Sequence, residues 1–162
     1  MNRFAITFLL FLAGSIVPPV LQAQSHVATG TFDVTLTPRA ADSAGSERVG
    51  RMSMAKRFHG GIEGVGTGEM LTAMSPVEGS AGYVAMEEIS GTLDGRRGSF
   101  VLQHSGTMNR GAPTLVISVV PDSGTDELAG LTGTMTVTVT EGEHRYEFRY
   151  ELQPAEAGGA DE

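Results

Sequence analysis

Along most of the chain, apolar and polar residues alternate one for one, which is the period of a strand with one dry face and one wet face. In Thr134 to Thr140, TMTVTVT, Met135, Val137 and Val139 point one way and the threonines the other. His144 to Leu152, HRYEFRYEL, sets Tyr146, Phe148, Tyr150 and Leu152 against Arg145, Glu147, Arg149 and Glu151. TFDVTL, Thr31 to Leu36, repeats the scheme with Phe32, Val34 and Leu36 on the dry side. No stretch from Val27 to Leu152 keeps a helical period. Eight strands are predicted, at about 27–37, 51–60, 62–74, 81–93, 97–109, 112–121, 127–140 and 144–152. Turn residues fall between them at Asp94-Gly95, at PDSG from Pro121 to Gly124 and around Gly142. Pro38 to Gly50 is the longest polar connection.

The fold class is therefore all-β. An eight-stranded antiparallel closed barrel competes with a β-sandwich or jelly roll, and short connections favour the barrel because closure leaves no exposed edge. The 22 glycines, many inside strands, suit the sharp bends of a small barrel. The run GVGTG, Gly64 to Gly68, is not a phosphate loop, since no Lys-Ser/Thr follows it and it alternates as a strand.

Three further features change the picture. MNRFAITFLLFLAGSIVPPVLQAQS reads as a signal peptide over residues 1–23, with one basic residue, an apolar run ended by Pro18-Pro19 and cleavage after Ala23. The expected product is a single barrel domain, 24–153, followed by a frayed acidic tail, 154–162, and it is exported to the periplasm or secreted. No later run is long and apolar enough for a membrane helix, so no membrane association is expected after leader cleavage. With no cysteine, the exported chain has no disulfide and no lipid anchor. The formal charge of −8 comes without any basic cluster, which argues against nucleic acid and anionic lipid as partners.

EISGTLDGRRGSFVLQHSGTM (Glu88 to Met108), VVPDSGTDELAGLTG (Val119 to Gly133) and the closing YEFRYEL together resemble the bacterial family catalogued as domain of unknown function 3224. The resemblance spans about Thr29 to Leu152. That family is similar in fold to allene oxide cyclase and dirigent proteins, so the resemblance implies a calycin-like barrel with an interior cavity. It implies no activity and transfers no catalytic residue. Members are often cytoplasmic without a leader, from which this chain departs.

Candidate chemistry follows from strand parity. A two- or four-residue loop at Asp94-Gly95 places Tyr83, Ala85, Glu87 and Ile89 on one face with Phe100, Leu102, His104 and Gly106. A three-residue loop would bring Gln103 to that face instead. The aromatic face is assigned inward, so Glu87 and His104 become neighbours inside the barrel, as a self-satisfying polar pair, a ligand contact or a catalytic acid/base pair. Tyr146 and Tyr150 also face inward, and Tyr83, Phe100 and Leu102 complete the candidate ligand-binding set. Met52, Met54 and His59 do not form a copper site, because His59 falls on the opposite face from the methionines. Histidine spacing gives no zinc site, no G-x-S-x-G occurs after the leader, and no cofactor is implied.

Three functions remain open at this point. The barrel holds a small apolar or amphipathic molecule, or it acts as an allene oxide cyclase-like isomerase or cyclase through Glu87 and His104. Alternatively it is a filled structural module that forms a homo-oligomer through Val84, Met86 and Val101 on the outer face.

Overall fold

In the computed structural model, residues 24–40 and 48–153 are described. The predicted leader (1–23), part of the first connection (41–47) and the predicted tail (154–162) lie outside the described residues. Eight antiparallel strands close into a barrel in sequence order, which rules out the sandwich. They are β1 (Ser25–Arg39), β2 (Val49–Gly60), β3 (Ile62–Met74), β4 (Ala81–Leu93), β5 (Arg96–Asn109), β6 (Ala112–Val119), β7 (Leu131–Thr140) and β8 (Glu143–Leu152). The circle is completed by β1 against β8, from Ser25 opposite Glu151 to Phe32 opposite His144.

Three hairpins turn in two residues, at Asp94-Gly95, Arg110-Gly111 and Glu141-Gly142, and all six residues have positive φ. That is the mirror-image turn whose twist matches that of the flanking strands. Parity therefore carries unbroken through each hairpin. Alternation then sorts the side chains, with Phe58, Ile62, Ile89, Leu93, Phe100, Leu102 and Phe148 almost wholly buried in one interior cluster.

The two ends of the barrel differ. At the end that holds the β2–β3 and β4–β5 turns, rings stack across the floor: Phe100 on Phe148, Phe148 on Tyr150 and Tyr150 on His26, at 5.2–5.6 Å between centroids. The β6–β7 connection completes this closed end. Residues 127–130, predicted as strand, instead belong to a 3-10 turn, Asp126–Leu128, and its exit, and β7 starts at Leu131. The reason lies on β5, whose hydrogen-bonding edge is left by β6 at Leu102. The connection takes over that edge: Ser99 N–H donates to Thr125 Oγ1, Val101 N–H to Ser123 Oγ and Arg97 N–H to Glu127 Oε2. Backbone donors that would otherwise face a gap are thus satisfied. Leu128 anchors the turn, fully buried against the bare Cα of Gly98.

At the other end the inner face is less covered. Leu36, expected inward, is 42% exposed there, because its strand runs past the packed part of the core. Between β6 and β7 the registered pairing among the described residues is Ser118 opposite Thr134 alone.

Leu128→Ala should cost about 2–5 kcal/mol, the range for emptying a buried leucine site. Hydrogen exchange at the Ser99 and Val101 amides should speed up more than exchange at residues in β1 or β8. Uniform acceleration across the barrel would show that the connection does not guard the β5 edge.

Candidate functional site

Glu87 and His104 do lie together inside the barrel. The two-residue turn sets Glu87 opposite Leu102 and Ala85 opposite His104, so the two side chains are diagonal neighbours on the inner face. His104 Nε2 is 3.1 Å from Glu87 Oε2 but is not aligned for a hydrogen bond. The same oxygen accepts a 2.8 Å hydrogen bond from Lys56 Nζ, a residue that was not among the sequence candidates. All three side chains are buried, Glu87 completely. The signal for Lys56 was available, since it alternates with Met54 and Phe58, both buried. A lysine is by default read as facing water, and that default concealed it.

Lys56 comes from β2 and Glu87 from β4, with β3 between them. They meet because β3 presents glycine on its inner face here. A Cβ on Gly66 would stand 2.2 Å from Glu87 Oε1 and 3.0 Å from the Phe58 ring. The missing side chain is the lane along which lysine and carboxylate reach each other. The Lys56 ammonium also lies over the Phe32 ring, 4.6 Å from its centroid, which compensates part of its lost hydration.

Burial pushes the Glu87 carboxyl up, but His104 and Lys56 together outweigh it and hold the group below its ordinary value of 4.5. Glu87 Oε1 has no hydrogen-bond partner among the described residues. The cluster is thus an ion pair with a histidine alongside, not a self-satisfied pair of two.

The candidate tyrosines separate into two groups. The Tyr146 hydroxyl accepts from Ile62 N–H at 2.7 Å, and the Tyr150 hydroxyl donates to Asp94 Oδ2 at 2.7 Å. Both hydroxyls therefore brace turns at the closed end. Tyr150 is pushed up to about 12 by burial and by the Asp94 carboxylate, and Tyr146 is also raised, burial first. Phe100 and Leu102 sit in the packed floor. Tyr83 differs. Its ring lies over Gly106, it lines an open-end cavity, and burial followed by the Glu87 charge raises its hydroxyl.

That cavity has a volume of about 260 Å³ and is walled by the inner face of β3–β6, including Met70, Met74, Tyr83, Met108 and Leu115. Its lining is overwhelmingly apolar. Tyr83 stands between it and the charged cluster. His59 projects outward, 4.0 Å from Asp33 and 3.9 Å from Glu63.

The profile of the family described as "Protein of unknown function (DUF3224)" matches residues 28–150. A crystal structure of a protein of unknown function from that family, from Shewanella oneidensis MR-1, is 50% identical, with a TM-score of 0.76. The match covers 82% of this chain and 100% of that one. Comparison with curated proteins gives no match.

Lys56→Met should destabilise the barrel by about 3–5 kcal/mol in denaturant unfolding, because it leaves the Glu87 charge buried alone. Adding Glu87→Leu should restore most of that loss. Since the folded-state carboxyl is depressed, its contribution is present above pH 4.5 and fades as pH falls through the lower folded value. The double variant should lack this part of the acid decline; an unchanged decline would place the acid sensitivity elsewhere.

Proposed function

The chain belongs to the DUF3224 family, and we propose that it is an exported barrel that holds one small apolar or amphipathic molecule in the cavity at its open end. The observation that carries this reading is the asymmetry of the interior. One end is sealed by stacked rings and a pinned loop, while the other leaves Met74, Met108 and Leu115 uncovered. Apolar surface left facing a concave space is the ordinary mark of a ligand site. Methionine walls adapt to the shape of an occupant, and Tyr83 offers one polar group at the base.

A cavity of about 260 Å³ lies just under the usual range of ligand pockets, roughly 300–1,000 Å³, so the occupant is small, on the scale of one ring or a short chain. Glu87 supports the binding reading over the cyclase or isomerase one. Its Oε2 is held by Lys56, its Oε1 is turned toward Gly66, and no part of it is exposed. Burial raises the Tyr83 hydroxyl at the cavity, and the Glu87 charge adds to that rise. Export is supported by the leader pattern of residues 1–23.

Native mass spectrometry of protein recovered from its own cells should show a retained small molecule and a first residue of Gln24. Leu115→Glu and Met108→Glu change exposed positions and should leave the fold intact while weakening a fluorescent apolar probe, anilinonaphthalene sulfonate, by about tenfold. Equal probe binding by these variants would remove the cavity from consideration, and an intact leader on the recovered chain would remove export.

A further inference from the structure

The three tyrosines of the chain are not used alike. Tyr146 and Tyr150 commit their hydroxyls to Ile62 and Asp94 at the closed end. Tyr83 is half-buried on β4, and its hydroxyl has no hydrogen-bond partner among the described residues. Its seat is made by β5. Register sets Tyr83 opposite Gly106, and a Cβ on Gly106 would stand 2.2 Å from Tyr83 Cε1 and 2.9 Å from Cζ. The ring therefore occupies the recess that the bare glycine leaves, and the space beside it stays open as the cavity of about 260 Å³. Among the described residues that line this space none carries a charge. The ion pair behind Tyr83 compensates itself, Lys56 donating to Glu87 at 2.8 Å.

Resting on the reading of this cavity as a ligand site, we propose that its occupant is an uncharged molecule bearing an oxygen acceptor, a ketone or ester carbonyl on a compact apolar body, and that Tyr83 selects it by donating a hydrogen bond to that oxygen. The lining excludes charge. A carboxylate or ammonium group drawn into it would lose its hydration and find no counter-ion. An anionic molecule fits only with its charged group left in water at the open end. The acceptor follows from the unpartnered donor, because an occupant that displaces water from a phenol O–H and offers nothing in return leaves that group unsatisfied. Burial and the Glu87 charge both raise the Tyr83 hydroxyl, so it stays protonated and able to donate. Met70, Met74 and Met108 adapt to the apolar part of the occupant. Gly106 is the positioning residue for Tyr83, since any side chain there would push the ring from its recess toward the space that the occupant needs.

Amide chemical-shift titrations of the chain without its leader test the proposal, with acetophenone, benzoate and cumene as probes of similar size, read at Gly106 and Leu115. Wild type should bind acetophenone at least about tenfold more tightly than benzoate. Tyr83→Phe keeps the ring and removes the hydroxyl, so it should weaken acetophenone about fivefold and leave cumene within about twofold. Gly106→Ala should weaken both probes alike, because it narrows the space and leaves the donor in place. Benzoate bound as tightly as acetophenone, or an equal response of acetophenone and cumene to Tyr83→Phe, would overturn the proposal and leave the cavity standing as a ligand site. If none of the three probes shifts the two amides in wild type, both readings fall. Should Gly106→Ala not fold, wild type and Tyr83→Phe still decide the question.

Discussion

A two-residue turn transmits parity, and the interior of this barrel depends on that constraint. Along each strand, side chains alternate between the two faces, so a slip of one residue would exchange dry and wet faces of everything downstream. The turns at Asp94-Gly95, Arg110-Gly111 and Glu141-Gly142 fix β4 to β5, β5 to β6 and β7 to β8. Each has positive φ at both central residues, a conformation that glycine adopts without steric cost and that Asp94, Arg110 and Glu141 adopt under the pull of the hairpin twist. Because the register is pinned at the turns, Glu87 and His104 have no freedom to face solvent. The turn puts both on one face, and Ile89, Phe100 and Leu102 on that face carry it inward.

That geometry creates a problem the rest of the wall must solve. A carboxylate placed inside an apolar barrel is costly unless it is paired, and its cation must come from inside as well. Lys56 is two strands away, and the inner face of β3 clears its path with glycine at position 66. The glycines of Gly64 to Gly68 thus owe their inner-face positions to close approach as much as to bending. A Cβ on Gly64 or Gly68 would likewise strike the backbone of β4, at Ser90 or Met86.

Much of this was legible from the chain. Strand count, order and the inward face of the central hairpin follow from alternation and from the Asp-Gly pair, since both are local signals. The neighbour relation of Glu87 and His104 followed from the same parity. The inward face of Lys56 is legible from its alternation with Met54 and Phe58 but is overridden by the default that lysine faces water, and its contact with Glu87 across β3 leaves no local pattern. The bracing roles of Tyr146 and Tyr150 were hidden for a similar reason, as their partners Ile62 and Asp94 sit on turns far along the sequence. The start of β7 was misplaced even though Leu128 is out of phase with Leu131 and Met135, because the hydrogen bonds of β5 that call for a loop there are not local to it in sequence.

The two faces of the β3–β6 wall give the same sequence two different tasks. Inside, Met70, Met108 and Leu115 are apolar because they line a concave space, and outside, Val84, Met86 and Val116 are apolar on a surface that faces water in the single chain. A wall that was merely structural would follow β8, with rings inward and paired charges outward. The outer face of β7 is different again, a row of threonines at 132, 134, 136 and 138. The buried ion pair fits the same logic, because well-packed apolar residues could fill the same volume with equal or greater stability. Beside the cavity, burial raises the Tyr83 hydroxyl first and the buried Glu87 charge raises it further.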